Sequence, residues 1–387
     1  MRNRRNYHRN SHHISQLLTG LITTLIFFCV TIGLIAVFCK SIIPTASTGN
    51  NALNFTPTVA LSPTTPITIP PTQTVTPSPT IATPTPTISL ATPTIEPTIP
   101  IVSISTTPVV YCAFQTEQAP PTFTGNSYII ADFYTKQTLL SYRPELQIYP
   151  ASTIKLLTAM VGLDLSEPST SLTLSESVFQ NITSDIAGSG VPVGTTYPLE
   201  VWLNLLLVRS FGDAANTIAE ETAGSIEQFI DKMNQKIEQL GLTNTVVDNA
   251  VGLDIGNGFS NIHSTAKDML TIALESLQYP LIKEIIAKPT YLIPATNTTP
   301  ETLIPNSHPF LSPLESYSSP YFTTIGGKTG TTSAAGNCLI TIVKGADTHT
   351  YICVYFGGKT RDTMAKEIIE LLEYVIESRT NLNRVEK

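Results

Sequence analysis

The sequence is poor in charge, and the few charges it has are unevenly placed. Only 13% of the 387 residues are charged. No charged residue occurs from Leu17 to Cys39, and Glu96 is the only one from Ile42 to Val110. Of the 22 Lys and Arg residues, five lie in the first forty, so the rest of the chain carries 17 against 29 acidic residues. A nucleic-acid-binding protein needs a basic face, so this balance excludes nucleic acid as a predicted partner.

Cysteine is also scarce, and no Cys-x-x-Cys pair occurs among the five cysteines. We therefore predict no metal site and no bound cofactor. Cys112, Cys338 and Cys353 follow the first hundred residues. A disulfide can form between two of them in an oxidising compartment, but the third would stay unpaired.

The uncharged segment 17–39 is long enough to cross a membrane, because as a helix it would extend about 35 Å. Four arginines precede it, which favours a cytoplasmic N-terminus. A cleaved signal peptide is the alternative, but its apolar core is usually about 7 to 15 residues, and no Ala-x-Ala site follows. We predict a basic cytoplasmic tail (1–16), a single-pass transmembrane signal anchor (17–39) and a catalytic domain that is extracellular or periplasmic.

The next segment, 40–120, is rich in proline and threonine. Proline fixes φ and removes a backbone donor, so this composition predicts an extended linker that holds a domain away from the membrane. The remaining chain is long enough for one globular domain, which we place at 121–378, followed by a short C-terminal tail (379–387).

Within that domain, hydrophobic periodicity predicts strands at both ends and helices between them. This order indicates an α/β (α+β) domain whose sheet is built from both ends, with an inserted helical lobe. The predicted strands are 126–133, 137–142, 290–294, 323–329, 337–344 and 349–356, and the predicted helices are 152–163, 199–209, 213–223, 225–240, 265–277 and 363–376.

A candidate nucleophile lies at the start of the first predicted helix, in Ser152-Thr153-Ile154-Lys155. Residues three apart share one helix face, so the hydroxyl of Ser152 and the amine of Lys155 lie within reach. A serine hydroxyl needs a base to become nucleophilic, and a lysine serves only when it is uncharged.

The spacing alone is a weak signal, because Ser264-Thr265-Ala266-Lys267 repeats it. We interpret this second copy as a helix cap at Ser264 followed by a solvated lysine.

Lys328-Thr329-Gly330 is the second candidate motif, at the end of a predicted strand. A lysine and a threonine hydroxyl on a strand edge can hold a carboxylate, and glycine permits close approach of a substrate backbone.

Together these motifs resemble those of the penicillin-recognising serine enzymes, and specifically the D-alanyl-D-alanine carboxypeptidase family. The resemblance covers most of the globular part and implies a β-lactamase/transpeptidase-like fold with an antiparallel sheet flanked by helices. The stretches that carry it are 149–155, 249–254, 263–268 and, most closely, 327–336.

By that resemblance, Ser152 is the acylated nucleophile, Lys155 its base and Ser210 a proton shuttle to the leaving amine. Lys328 and Thr329, with Gly330 and Thr331, would bind a peptidoglycan stem peptide ending in D-Ala-D-Ala. The N–H groups of Ser152 and Thr331 would form an oxyanion hole. β-Lactams would be inhibitors.

One position departs from the family pattern. The family's Ser-x-Asn motif falls on Ser210-Phe211-Gly212, so Gly212 replaces the expected asparagine. Losing one such donor can lower the rate by about 10²–10³. Asp213 or Asn216 is the nearest polar substitute in the sequence.

Three functions stay open at this point. The first is serine-type D-Ala-D-Ala carboxypeptidase activity, which removes the terminal D-alanine. The second is an endopeptidase or a β-lactamase on the same fold, although the Glu-x-x-Leu-Asn stretch expected of a class A β-lactamase is missing. The third is a catalytically impaired wall-binding protein.

Overall fold

The computed structural model describes residues 110–114, 118–179, 188–254, 258–259 and 261–385. The predicted cytoplasmic tail, the transmembrane segment 17–39 and most of the linker lie outside these residues. Within the described ranges, no helix is both long and apolar enough to cross a membrane.

A six-stranded antiparallel sheet forms the centre of the described part, in the order β1-β3-β2-β10-β9-β8. Strands β2 and β3 come from the start of the predicted domain and β8, β9 and β10 from its end, which confirms the sheet predicted from both ends; β1 was not predicted and lies within the segment assigned to the linker. Its strands are β1 (Tyr111–Cys112), β2 (Ser127–Asp132), β3 (Thr138–Tyr142), β8 (Phe322–Thr332), β9 (Gly336–Gly345) and β10 (Thr350–Gly358).

The helices divide between the two faces of this sheet. Two further antiparallel pairs accompany the lobe, β4 (Ser171–Thr173) with β5 (Thr196–Pro198), and β6 (Thr290–Ile293) with β7 (Thr302–Pro305). The helices are α1 (Lys155–Leu165), α2 (Leu199–Asn204), α3 (Gly212–Ala223), α4 (Ile226–Gln239), α5 (Ala266–Ser276), α6 (Pro280–Ile285) and α7 (Arg361–Val385).

Side-chain alternation along β2 explains why both faces of the sheet are covered. Tyr128 and Ile130 belong to a cluster that packs against α7, whereas Ile129 and Ala131 belong to the larger cluster of the helical lobe. Successive residues of a strand point to opposite faces, so one buried strand contributes to both cores.

The helix predicted over 199–209 is interrupted. α2 ends at Asn204, and a π-helical turn follows over Leu205–Arg209. The turn ends at Ser210, which has a left-handed backbone (φ 70°). π-Helical turns are rare and concentrate at functional sites. Hydrophobic spacing does not distinguish this turn from a continuous helix.

Two expected boundaries also move. The last helix, expected over 363–376, continues to Val385, and Arg379 donates to the buried carboxylate of Asp132 at 2.6 Å. β8 extends to Thr332, so Lys328-Thr329-Gly330 lies inside the strand rather than at its end. Cys112, Cys338 and Cys353 all carry free thiols.

Candidate active site

Ser152 and Lys155 lie where a 3₁₀ turn becomes an α-helix. The turn spans Ala151–Ile154, and Lys155 is the first residue of α1, so the helix predicted to start at Ser152 starts three residues later. The Lys155 Nζ donates to the Ser152 Oγ at 2.7 Å. The two side chains therefore meet as the sequence spacing predicts.

Burial sets the protonation of Lys155. Its side chain is fully buried, and this desolvation lowers its pKa to about 7, against the opposing attraction of Asp213. Near neutral pH a large fraction of this amine is uncharged. An uncharged amine at this distance can accept the proton of the Ser152 hydroxyl.

A loop from the helical lobe holds the same lysine from the other side. The Lys155 Nζ also donates to the carbonyl oxygen of Val251 at 2.8 Å. The Asn249 side chain shapes this loop, because its Oδ1 accepts from the N–H groups of Val251, Gly252 and Leu253. Gly252 has φ +91°, and a Cβ there would lie 2.2 Å from the Ala151 carbonyl oxygen. Glycine therefore permits the loop to touch the 3₁₀ turn.

Lys328 is the second buried lysine of the site. It is buried on β8, and its Nζ donates to the Ser210 Oγ at 2.8 Å and to the Thr329 carbonyl at 2.9 Å. Burial, and then the nearby Lys155 amine, hold the pKa of Lys328 well below its usual value. The left-handed backbone at Ser210 turns its hydroxyl toward this strand.

Close backbone approach joins β8 to the turn that bears Ser152. A Cβ at Gly330 would lie 2.9 Å from the Ser152 backbone nitrogen and 3.0 Å from that of Thr153. The glycine of the Lys-Thr-Gly triplet therefore permits the two motifs to approach this closely.

One cleft of about 490 Å³ brings the predicted site residues together. Lys155 and Lys328 are buried behind the cleft. Lys155 donates a hydrogen bond to Ser152 and Lys328 donates one to Ser210, and both serines line the cleft. The predicted residues that line it directly are Ser152, Ser210, Thr329, Gly330 and Thr331.

In the described part of the chain, neither polar substitute for the missing asparagine forms a hydrogen bond with Lys155. Gly212 is the first residue of α3. The Asp213 carboxylate accepts from the N–H and hydroxyl of Ser189, and the Asn216 amide donates to the Val178 carbonyl at 2.8 Å. The Val251 carbonyl holds Lys155 instead.

Several site residues were not predicted. Ser307, in the loop after β7, exchanges a 2.7 Å hydrogen bond with the Thr329 hydroxyl, and its N–H donates to Val208. Arg209 and Arg361 also line the cleft. Arg209 directly precedes Ser210, so its place in the site could be predicted from the motif. No local pattern in the sequence marks Ser307 or Arg361.

The second Ser-x-x-Lys copy is structural. Lys267 is exposed and pairs with Glu145 at 2.7 Å. The predicted cap at Ser264 is wrong by one residue, because the Thr265 hydroxyl accepts from the Asp268 N–H and α5 begins at Ala266. Ser264 is instead buried and hydrogen-bonded to Thr245.

Comparison with known proteins gives a consistent result. The sequence model of the D-alanyl-D-alanine carboxypeptidase family matches residues 114–360. The chain is 33% identical over 236 residues to the D-alanyl-D-alanine carboxypeptidase DacB2 of Mycobacterium tuberculosis, which covers 60% of this chain and 75% of that protein. It is 29% identical over 280 residues to a D-alanyl-D-alanine endopeptidase of Escherichia coli, covering 68% and 82%.

Solved structures agree. The crystal structure of a D-alanyl-D-alanine carboxypeptidase from M. tuberculosis superposes with a TM-score of 0.59 at 29% identity, covering 66% of this chain and 92% of that one. The β-lactamase/transpeptidase-like fold expected from the motifs is thus confirmed for the described residues.

The contact between Gly252 and the Ala151 carbonyl gives a stability prediction. Gly252→Ala adds a Cβ to a left-handed backbone and overlaps Ala151, so we expect it to lower the free energy of unfolding by at least about 3 kcal/mol. Gly241→Ala is the matched control, because Gly241 also has positive φ but nothing lies within 4 Å of its Cβ position. It should cost only about 1–2 kcal/mol. Equal losses in urea unfolding would contradict the proposed overlap.

Proposed function

Because this chain belongs to the D-alanyl-D-alanine carboxypeptidase family, we propose that it removes the terminal D-alanine of peptidoglycan stem peptides through an acyl-serine intermediate. The observation that carries the proposal is the 2.7 Å contact between the Ser152 hydroxyl and a buried amine whose pKa is about 7. Ser152 and Ser210 line the same cleft, and the buried Lys328 donates to the Ser210 hydroxyl.

In the acylation step, the Ser152 Oγ attacks the carbonyl carbon of the penultimate D-alanine while Lys155 takes its proton. The N–H groups of Ser152 and Thr331 stabilise the negative oxygen that forms. The C–N bond then breaks as Ser210 donates its hydroxyl proton to the departing D-alanine amine and receives in turn the proton that Lys155 took from Ser152, so that Lys155 is uncharged again. Water hydrolyses the acyl ester and regenerates the Ser152 hydroxyl.

Substrate binding falls to the other wall of the cleft. Lys328 and Thr329 bind the terminal carboxylate of the D-Ala-D-Ala end, and Gly330 leaves room for the peptide backbone. β-Lactams acylate Ser152 by the same attack and act as inhibitors. Residues 17–39 anchor the chain in the cell membrane, so that the domain faces the cell wall outside.

Endopeptidase activity is the second candidate, because relatives at about the same identity carry that name. Both activities need the same acylation chemistry. They differ in the leaving group, which is free D-alanine for the carboxypeptidase and a second, cross-linked peptide for the endopeptidase. The substrate therefore decides between them.

The decisive experiment offers purified protein a D-Ala-D-Ala pentapeptide and a cross-linked muropeptide dimer. We expect D-alanine release from the pentapeptide, with a Ser152→Ala variant at least about 10⁴-fold slower, as for a lost nucleophile. Mass spectrometry after penicillin treatment should place the adduct on Ser152. Cleavage of the dimer without D-alanine release would favour the endopeptidase, and neither product nor adduct would end the proposal.

The pKa of Lys155 predicts the pH profile of acylation. Only the uncharged amine accepts a proton, so kcat/KM should fall about tenfold per pH unit below about 7 and level off above about 8. Stopped-flow labelling by a fluorescent penicillin at several pH values measures this, and circular dichroism checks that the fold persists. The interval from about pH 5 to about pH 8 spans the titration of an amine with this pKa. A labelling rate that stays constant over this interval would exclude Lys155 as the base.

Gly212 predicts a limited response to restoring the family's amide. Lys155 is already held by Val251, so Gly212→Asn adds only a hydrogen bond toward substrate, and we expect kcat/KM to rise by no more than about tenfold. Gly212→Ala controls for the added Cβ. A gain of about 10²–10³ would instead favour the catalytically impaired wall-binding protein.

A further inference from the structure

The charged residues that line the cleft are basic, although the chain as a whole has more acidic than basic residues. Two arginines line it, whereas the two lysines behind it are buried and have lowered pKa values, so the arginines carry the charge that faces the cleft. Among the described residues that line the cleft, none is acidic. Such a surface concentrates anionic ligands.

The two arginines differ in how their charge is compensated. Arg361 donates from Nε and Nη2 to the Glu315 carboxylate, at 2.9 and 2.5 Å, and from Nη2 to the Ser307 carbonyl. This bidentate pair fixes the guanidinium and neutralises it within the protein.

Arg209 has no such partner in the described part of the chain, where no carboxylate pairs with its exposed guanidinium. It ends the π-helical turn and is followed by Ser210, whose hydroxyl accepts from Lys328. A cation at the end of a helical turn also favours the local carbonyl dipoles. A purely structural role at the end of the turn would not require Arg209 to line the cleft. Arg209 nevertheless lines the cleft beside Ser210.

We propose that Arg209 binds a second carboxylate of the substrate, so that the enzyme selects peptides that carry an acidic residue upstream of the scissile bond. The inference rests on the proposed function. A departing D-alanine has a single carboxylate, which Lys328 and Thr329 bind. Any second carboxylate must therefore belong to the acyl part of the peptide, on the N-terminal side of the bond that breaks.

The test compares peptides that differ only by carboxylate against carboxamide. One pair ends in Glu-D-Ala-D-Ala or Gln-D-Ala-D-Ala, and a second pair places the Glu or Gln one residue earlier. With wild-type protein, kcat/KM for D-alanine release should be about tenfold higher for the acidic member of one pair. Arg209→Gln should reduce that ratio to within about twofold, and Arg209→Lys should retain part of it.

The matched control is Lys232→Gln, which removes one positive charge from an exposed position on α4 that does not line the cleft. It should leave the ratio unchanged. Added salt at about 0.5 M should weaken the wild-type preference, because exposed charge pairs are screened. The proposal is overturned if wild-type protein treats both members of each pair alike, or if Arg209→Gln slows both members equally.

Binding separates this inference from the proposed function. The same peptide pairs are titrated by calorimetry into Ser152→Ala protein, with and without Arg209→Gln, where no turnover is needed. Absence of D-alanine release from wild-type protein would defeat the proposed function alone. A carboxylate preference in binding that needs Arg209 would still support the anion site, and equal binding would refute it.

Discussion

A hydrogen bond between a buried amine and a half-buried hydroxyl is the contact on which the rest of this site depends. The Lys155 Nζ has no room for a hydration shell, since its side chain is fully buried. Placing a charged amine there costs stability, and the pKa falls to about 7 in consequence. The helical lobe around α1 excludes water from Lys155 and so makes it a base near neutral pH. The Ser152 hydroxyl lies 2.7 Å from this amine and can transfer its proton to it.

The surroundings of this pair are built mainly from backbone. Gly252 lets one loop reach the Ala151 carbonyl, and Gly330 lets β8 pass the N–H of Ser152. A side chain at either glycine would collide with the backbone of the 3₁₀ turn and push the two segments apart, beyond hydrogen-bonding distance. Lys328 adds a second buried amine to the site, and the nearby Lys155 amine lowers the pKa of Lys328 in the same direction as burial does.

The sequence predicts the local parts of this arrangement better than the distant ones. Alternation and helical spacing identify the sheet strands and the lobe, and the three-residue spacing places Ser152 beside Lys155. The contact of Lys155 with Val251 joins residues 96 positions apart, and that of Ser307 with Thr329 joins residues 22 apart. Tertiary packing alone determines such pairs. The π-helical turn likewise keeps the apolar spacing of the expected helix, so no pattern reveals it.

A backbone carbonyl holds Lys155 in place although position 212 carries no side-chain amide. A side-chain amide there would have two separate tasks, to hold the lysine and to contact the substrate. The first falls to the Val251 carbonyl, which every residue type at position 251 retains. Its direction depends on Asn249, whose side chain accepts three N–H groups of the loop. The position of the lysine therefore depends on the loop that Asn249 shapes, whereas position 212 offers no side-chain amide for contact with the substrate.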